Sequence, residues 1–330
     1  MSSLPTTAVN TLPRQALIAP PVRGNMAKWV NAMTRRLKIT DQFHFDDRRS
    51  GSAVLVCMLA GYKPELWRFV MPRFKRALPD ADVCLVSPGL RIGTLSDLSR
   101  RAGWSYLSTA TNDVSLAQNV CYRLHAKAEL IVKLDEDMLL VPDSLSALIN
   151  QYRQIKAQGV VDPGFVAPMI PVNGFCYRPL LEILDLLDEF EARFGRARIA
   201  YSGTPIQDDP AAACWMWERT APLEQTARRL AAKPVRTLFC PIQFSTGLIA
   251  FERSFWEMIG HLPVYRRRLV FGISTQGADE RHISAQAFGT SRPGVITTGA
   301  LAGHFAFEAQ HAGVTPLMER RPELFAPSTA

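Results

Sequence analysis

Through the first half of the chain, short apolar runs alternate with stretches whose apolar positions recur at helical spacing. Residues 53–59 read as a first buried strand, stopped by Ala60-Gly61-Tyr62, and Pro64 opens a helix running toward Ala77. A second strand at 82–87 is broken by Pro88-Gly89, a short helix follows at 95–102, and an extended piece covers 104–107. Thr111-Asn112-Asp113 supply capping side chains for a helix over 114–127. On that helix Leu116, Val120 and Leu124 form an apolar face. Asn119, Arg123 and Lys127 follow at four-residue intervals on an adjacent polar one. The branched run 130–134 comes next and leads directly into Asp135-Glu136-Asp137. Strands alternating with helices call for an α/β fold, with a mostly parallel sheet and helices on both faces. Ligands collect at the carboxyl ends of such strands, where Gly61, Ser87 and Asp135 would lie.

The second half is less regular. Helices are expected at 142–154, 179–194, 253–259 and 277–288, with extended pieces at 164–170, 235–241 and 247–251. Between them, 201–217 mixes turn formers with Trp215 and Trp217 and reads either as a mobile wall over a polar ligand or as an ordinary connection packed down by its tryptophans. The tail after Pro316 reads as peripheral. The expected layout is a leader with a basic amphipathic helix at 1–50, a catalytic domain at 51–315 and a tail at 316–330. Within the catalytic domain, 51–140 would be the nucleotide-binding half and 141–315 the acceptor-binding half.

Composition narrows the class. A length of 330 residues with 47% hydrophobic positions suits one sizeable α/β core, and no apolar run approaches the roughly 20 residues that span a bilayer. The first 23 residues lack the basic region and apolar core of a secretory signal, while Pro5, Pro13, Pro20 and Pro21 suit a flexible leader. Six cysteines, at 57, 84, 121, 176, 214 and 240, have neither metal-ligand spacing nor disulfide density, which points to a reducing cytoplasm. The net charge of +8 calls for an anionic partner, but no nucleic-acid recognition module is present. One local basic cluster, Arg23, Lys28, Arg35, Arg36 and Lys38, shares a stretch with Met26, Trp29, Val30, Met33 and Leu37 at helical spacing. Such a helix docks on its own domain or lies on an anionic membrane surface.

The candidate chemistry centres on the acids. Residues two apart on an extended strand point the same way, so Asp135 and Asp137 would face one cavity and offer oxygen ligands to a hard divalent cation. An acidic turn capping the next helix has the same sequence. Arg123, with Asn119 positioning it, reaches a base or phosphate, or else both belong to a solvated helix face. Asp279 and Glu280 stand at a helix start, where acids are favoured by the free backbone amides. They are also the best late candidates for a carboxylate that takes a proton from an acceptor hydroxyl. Gly299-Ala300-Leu301-Ala302-Gly303-His304 places a histidine among small residues, with the glycines giving it room to join two aspartates.

The first strand with its glycine turn, the alternating half, the motif Lys133-Leu134-Asp135-Glu136-Asp137 and the late acidic pair together resemble the GT-A superfamily of nucleotide-sugar glycosyltransferases, in the style of bacterial family 2-like enzymes. The resemblance spans 52–308. It implies a GT-A-like Rossmann-type sandwich and transfer of a sugar, from a UDP-linked donor as is common in the family, to a glycan hydroxyl with inversion. Asp137, Asp135 and His304 would hold Mn²⁺ or Mg²⁺ on the donor diphosphate. Ala60, Gly61 and Tyr62 with Asn119 and Arg123 would hold the nucleoside, and Gly247, within Thr246-Gly247-Leu248, would floor the donor site. Asp279 or Glu280 would be the base, in the order Asp-Glu where the family commonly has Glu-Asp. The implied acceptor is an oligosaccharide, polysaccharide or lipid-linked glycan, in surface-polysaccharide or other glycoconjugate biosynthesis. The cysteines and the basic helix set the protein in the cytoplasm, with contact at the inner face of a membrane. A nucleotidyltransferase acting on a sugar phosphate and a noncatalytic glycan-binding protein presenting Trp215 and Trp217 are the alternatives.

Overall fold

The computed structural model describes residues 8–11, 42–265 and 277–327. The amphipathic stretch 23–38 lies outside them, as does most of the leader. The strands in chain order are β1 (Ala8–Thr11), β2 (Gln42–Asp46), β3 (Val54–Leu59), β4 (Asp82–Pro88), β5 (Ser105–Thr109), β6 (Leu130–Asp135), β7 (Met138–Leu140), β8 (Phe165–Met169), β9 (Thr237–Cys240), β10 (Leu248–Glu252) and β11 (Gly294–His304). The helices are α1 (Trp67–Ala77), α2 (Gly93–Ala102), α3 (Val114–Leu124), α4 (Ser144–Gln158), α5 (Tyr177–Ile183), α6 (Leu187–Phe194), α7 (Pro205–Asp208), α8 (Pro210–Thr220), α9 (Leu223–Ala231), α10 (Arg253–Met258), α11 (Ala278–Gly289) and α12 (His311–Arg320). The chain is mixed α/β and divides into two compact units. One comprises Met1–Tyr62, Asp80–Lys133 and Glu252–Ile283, the other Lys63–Pro79, Leu134–Phe251 and Ser284–Ala330.

In the first unit β3, β4 and β5 are parallel neighbours, and β2 closes on β5 in the opposite sense, followed by β1. Every residue of β3, β4 and β5 is buried, so both faces of these strands are covered, as the continuous apolar runs require. α3 opens where Asp113 accepts the Leu116 amide at 2.8 Å, a capping bond legible in the sequence. It stops at Leu124, three residues before the expected end, because His125 leaves the helical region. Lys127 therefore does not continue the polar face. The Arg253 guanidinium donates to the carbonyls of Tyr122, His125 and Ala128 at 2.7–2.8 Å and so satisfies the end of that helix.

The second unit is built around the long strand β11. Its first part is parallel to β8 and antiparallel to β9; after a register shift between Thr297 and Leu301, its last residues pair antiparallel with β7. That pairing sets His304 opposite Met138.

Three expectations change here. The helix expected over 179–194 is two, α5 and α6, separated by Asp185 at φ 59°, a left-handed position that aspartate tolerates. The loop expected at 201–217 is largely helical: α7 and α8 carry it, and Asp209 caps α8 through the Ala211 amide at 2.8 Å. Trp215 packs edge-on against Phe190 and Phe194, while Trp217 is fully buried and donates to the Phe305 carbonyl at 3.0 Å. Neither tryptophan is a sugar platform. The segment after Pro316 is not peripheral either. Phe325 is fully buried against Trp217, Phe305 and Phe69.

Candidate functional site

Asp137 does not lie on the strand. β6 ends at Asp135, and Glu136 and Asp137 form the turn into β7, so strand periodicity is not what places the acids. Instead the three carboxylates divide their work. Glu136 is structural: its two oxygens accept the Lys63 amide at 3.0 Å and the Trp67 indole at 2.6 Å, which ties the start of α1 to the turn. Asp137 points into a buried group on the other side. One of its oxygens pairs with the Lys63 ammonium and lies 3.4 Å from His304 Nε2. The second oxygen, Oδ1, is buried without a hydrogen-bond partner, and so is His304 Nδ1.

The neighbourhood is tight. His304 stacks on Phe307 at 3.9 Å between ring centroids, and the Phe305 amide donates to the Asp137 carbonyl at 3.0 Å. The Asp135 amide donates to the Gly247 carbonyl at 2.8 Å. A Cβ on Gly247 would stand 2.9 Å from Met138 Sδ, 3.3 Å from His304 Cδ2 and 3.8 Å from Asp135 Oδ2. Gly247 is thus the glycine that gives His304 room. Gly303, beside His304 in sequence, serves a different purpose: a Cβ there would meet Trp217 at 2.7 Å and Leu223 at 2.8 Å. The expected role of the 299–303 glycines as space for the histidine is therefore corrected.

The electrostatics follow from burial. Burial alone would raise the Asp137 carboxyl, but His304 and the Lys63 ammonium outweigh it and hold Asp137 well below the usual carboxylate range. Burial likewise works against the Lys63 charge, and Asp137, helped by Asp135 and Glu136, more than offsets it, so Lys63 is held protonated. Asp135, Asp137 and His304 are oxygen and imidazole donors of the kind Mn²⁺ or Mg²⁺ takes, and Asp137 Oδ1 is open to such a cation, but the ligand atoms of the three do not all lie within 4.8 Å of one another and Lys63 stands on Asp137.

The other expected residues lie in the first unit. The turn at Ala60–Tyr62 is held by Ala60, whose amide donates to Val86 at 2.9 Å and whose carbonyl accepts the Ser87 hydroxyl at 2.8 Å. Gly61 sits at φ +139°, where a Cβ would strike Ile92 at 2.8 Å; Tyr62 is half exposed, with its hydroxyl on the Pro88 carbonyl. Asn119 is fully buried. Its amide donates to Leu262 O at 2.7 Å and accepts from Trp256 Nε1 and Leu262 N, so it holds the 256–262 segment from a fully buried position. Arg123 meets His261 Nδ1 at 3.1 Å. Asp279 is buried in the first turn of α11 and accepts Gln118 Nε2 at 2.9 Å; Gln118 in turn accepts the Tyr122 hydroxyl at 2.7 Å. Glu280, beside it, is partly exposed.

Sequence reasoning missed Lys63, Met138, Phe307 and Gln118. Lys63 is 74 residues from Asp137, and no spacing rule links them. A further group was also hidden by its spacing: Cys84, Cys121 and His125 bring their ligand atoms within 4.8 Å of one another in the first unit. Burial pushes both thiols up, and His125 Nδ1 lies 2.9 Å from the Cys121 carbonyl. Burial disfavours the charged form of all three, which lie between α3 and β4.

No protein-family model matches the sequence, and no curated protein matches it. Among solved structures, the chain is similar to GalNAc-T7 with UDP, GalNAc and Mn²⁺ at a TM-score of 0.45 and 12% identity, over 93% of this chain and 58% of that one. It is also similar to CMP:2-keto-3-deoxy-manno-octonic acid synthetase complexed with CTP, at a TM-score of 0.43 and 12% identity, over 82% of this chain and 100% of that one. This chain thus spans less than two thirds of the GalNAc-T7 chain. Likeness at this level assigns no activity. No helix among the described residues is long and apolar enough to cross a membrane.

Proposed function

We propose that this protein transfers a sugar from a nucleotide-linked donor to a hydroxyl of a glycan. The observation that carries the reading is the buried Asp137 oxygen left without a partner beside His304 and Asp135, at the end of the strand where the sequence motif resembles that of GT-A glycosyltransferases. Asp137, Asp135 and His304 would hold Mn²⁺ or Mg²⁺, which when bound supplies positive charge to the leaving nucleoside diphosphate. Ala60–Tyr62 and Arg123 are assigned to the nucleoside, and the buried Asn119 is given the role of holding the 256–262 segment instead of touching the nucleoside. Asp279 or Glu280 takes the acceptor's hydroxyl proton while the acceptor oxygen bonds to the anomeric carbon and the bond from that carbon to the diphosphate breaks. A single displacement of this kind inverts the anomeric centre. We assign UDP as the nucleotide and a surface glycan as the acceptor.

A second reading, transfer of a nucleotide to a sugar phosphate, is favoured by one observation: Lys63, a basic group just after the first-strand turn, is brought onto Asp137. The two reactions differ in product. Calorimetry of UDP, GDP, CMP and ADP, each with Mn²⁺ and with chelator, identifies the nucleotide. Incubation with the matching nucleotide sugar and glycan acceptors should then release nucleoside diphosphate. Pyrophosphate release from a nucleoside triphosphate and a sugar phosphate would favour the second reading. Absence of binding to all four nucleotides would sink both.

Gly247→Ala tests the site without touching a ligand atom. Met138 can yield, but His304 is fixed on Phe307 and must shift to admit the methyl group. Mn²⁺ affinity is expected to fall about 10–100-fold, the usual effect of disturbing the support of a metal ligand. Unchanged affinity would show that the histidine is not a ligand.

A further inference from the structure

Asp137 is only 4% exposed at its side chain, and a buried carboxylate without a counter-charge is strongly disfavoured. Lys63 supplies that charge. The way it is held is unequal: its backbone amide is fixed to Glu136, which also holds Trp67, whereas its side chain is 34% exposed and ends in a compact charge on a flexible stem. The backbone is anchored, while the side chain reaches solvent as well as Asp137.

We propose that Lys63 is an exchangeable counter-cation, which occupies Asp137 until a divalent metal binds and then turns to the phosphates of the nucleotide. The inference rests on the metal reading of this site. An ammonium on one Asp137 oxygen and a divalent cation on the other repel each other across a single carboxylate, so each weakens the other's hold on Asp137. Released from the acid, the ammonium seeks the nearest anion, and a bound diphosphate is one. Lys63 therefore acts with opposite signs on two ligands. It opposes metal binding in the absence of nucleotide and strengthens nucleotide binding once the metal is present. It also keeps the buried acid neutralised before either ligand arrives.

Lys63→Met keeps the apolar stem and removes the charge. By calorimetry with Mn²⁺ alone, the variant is expected to bind about tenfold or more tightly than wild type, the scale of coupling between close charges. With Mn²⁺ saturating, its affinity for UDP is expected to fall by a similar factor. Equal or weaker Mn²⁺ binding by a folded Lys63→Met protein would overturn the proposal and leave Lys63 a fixed structural cation. Absence of Mn²⁺ binding to either protein would overturn it together with the metal site. Metal coupling as expected but no nucleotide binding would overturn the phosphate role of Lys63 and the transferase reading while leaving the exchange on Asp137 supported. A second measurement needs no substitution: acetylation of the wild-type Lys63 amine, followed by peptide mass spectrometry, should speed up several-fold when Mg²⁺ is added. An unchanged rate would count against exchange even if the variant does not fold.

Discussion

Asp137→Asn is expected to abolish metal-promoted nucleotide binding and to lower sugar transfer on the order of a thousandfold, which corresponds to several kcal/mol of charge stabilisation. The size follows from position. Asp137 is buried, its charge is held by Lys63 and His304, and its second oxygen has no other task. The amide keeps the shape of the carboxylate, and Lys63, one third exposed, can turn to solvent, so the fold should survive. Product formation from the nucleotide sugar, alongside thermal unfolding, checks both parts. Activity within tenfold of wild type in a folded variant would remove Asp137 from the chemistry.

Arg73→Ala is expected to cost about 3–5 kcal/mol of stability, the range for breaking a buried charge pair from one side. Arg73 projects from α1 and is 2% exposed. Its guanidinium donates to Leu140 O in β7 at 3.0 Å, to Glu224 at 2.6 Å, to Phe325 O at 3.0 Å and to Ala326 O. Removing it takes from the buried Glu224 its Arg73 partner and takes a donor from three carbonyls at once. One of them belongs to the strand that carries the Asp137 turn into register with His304. Urea denaturation gives the loss directly. Arg73→Met combined with Glu224→Leu should recover much of it, since apolar replacements remove both charges. A loss below about 1 kcal/mol, as for an exposed pair, would contradict this account.

The parts of the fold that were legible are those whose signals are local. Apolar runs marked β3, β4 and β6, Pro64 and Asp113 marked helix starts, and Asp279 was placed in a first turn. The acid motif was legible as a motif, but its geometry was not. The expectation that two acids share a face rested on an extended strand, and the chain turns at Glu136 instead. Asn119 had the right type and spacing for a ligand contact, yet it is fully buried and bonds to Leu262 and Trp256. Trp215 and Trp217 are core residues of α8, which favours the reading of a segment packed down by its tryptophans over that of a mobile wall, although its helices were not foreseen.

The sequence by itself determined the alternation of strands and helices, the caps, and the carboxylates placed where a strand ends. These depend on residues within a few positions of one another, where backbone preference and side-chain periodicity act directly. Only the tertiary structure decided which partners those carboxylates meet. Lys63 reaches Asp137 from the segment before α1, His304 arrives along β11 after its register shift, and Gly247 leaves the space between them. Each of these contacts joins residues tens to hundreds of positions apart. What brings them together is burial of the whole core and the pairing of β7 with β11, and no local pattern encodes either.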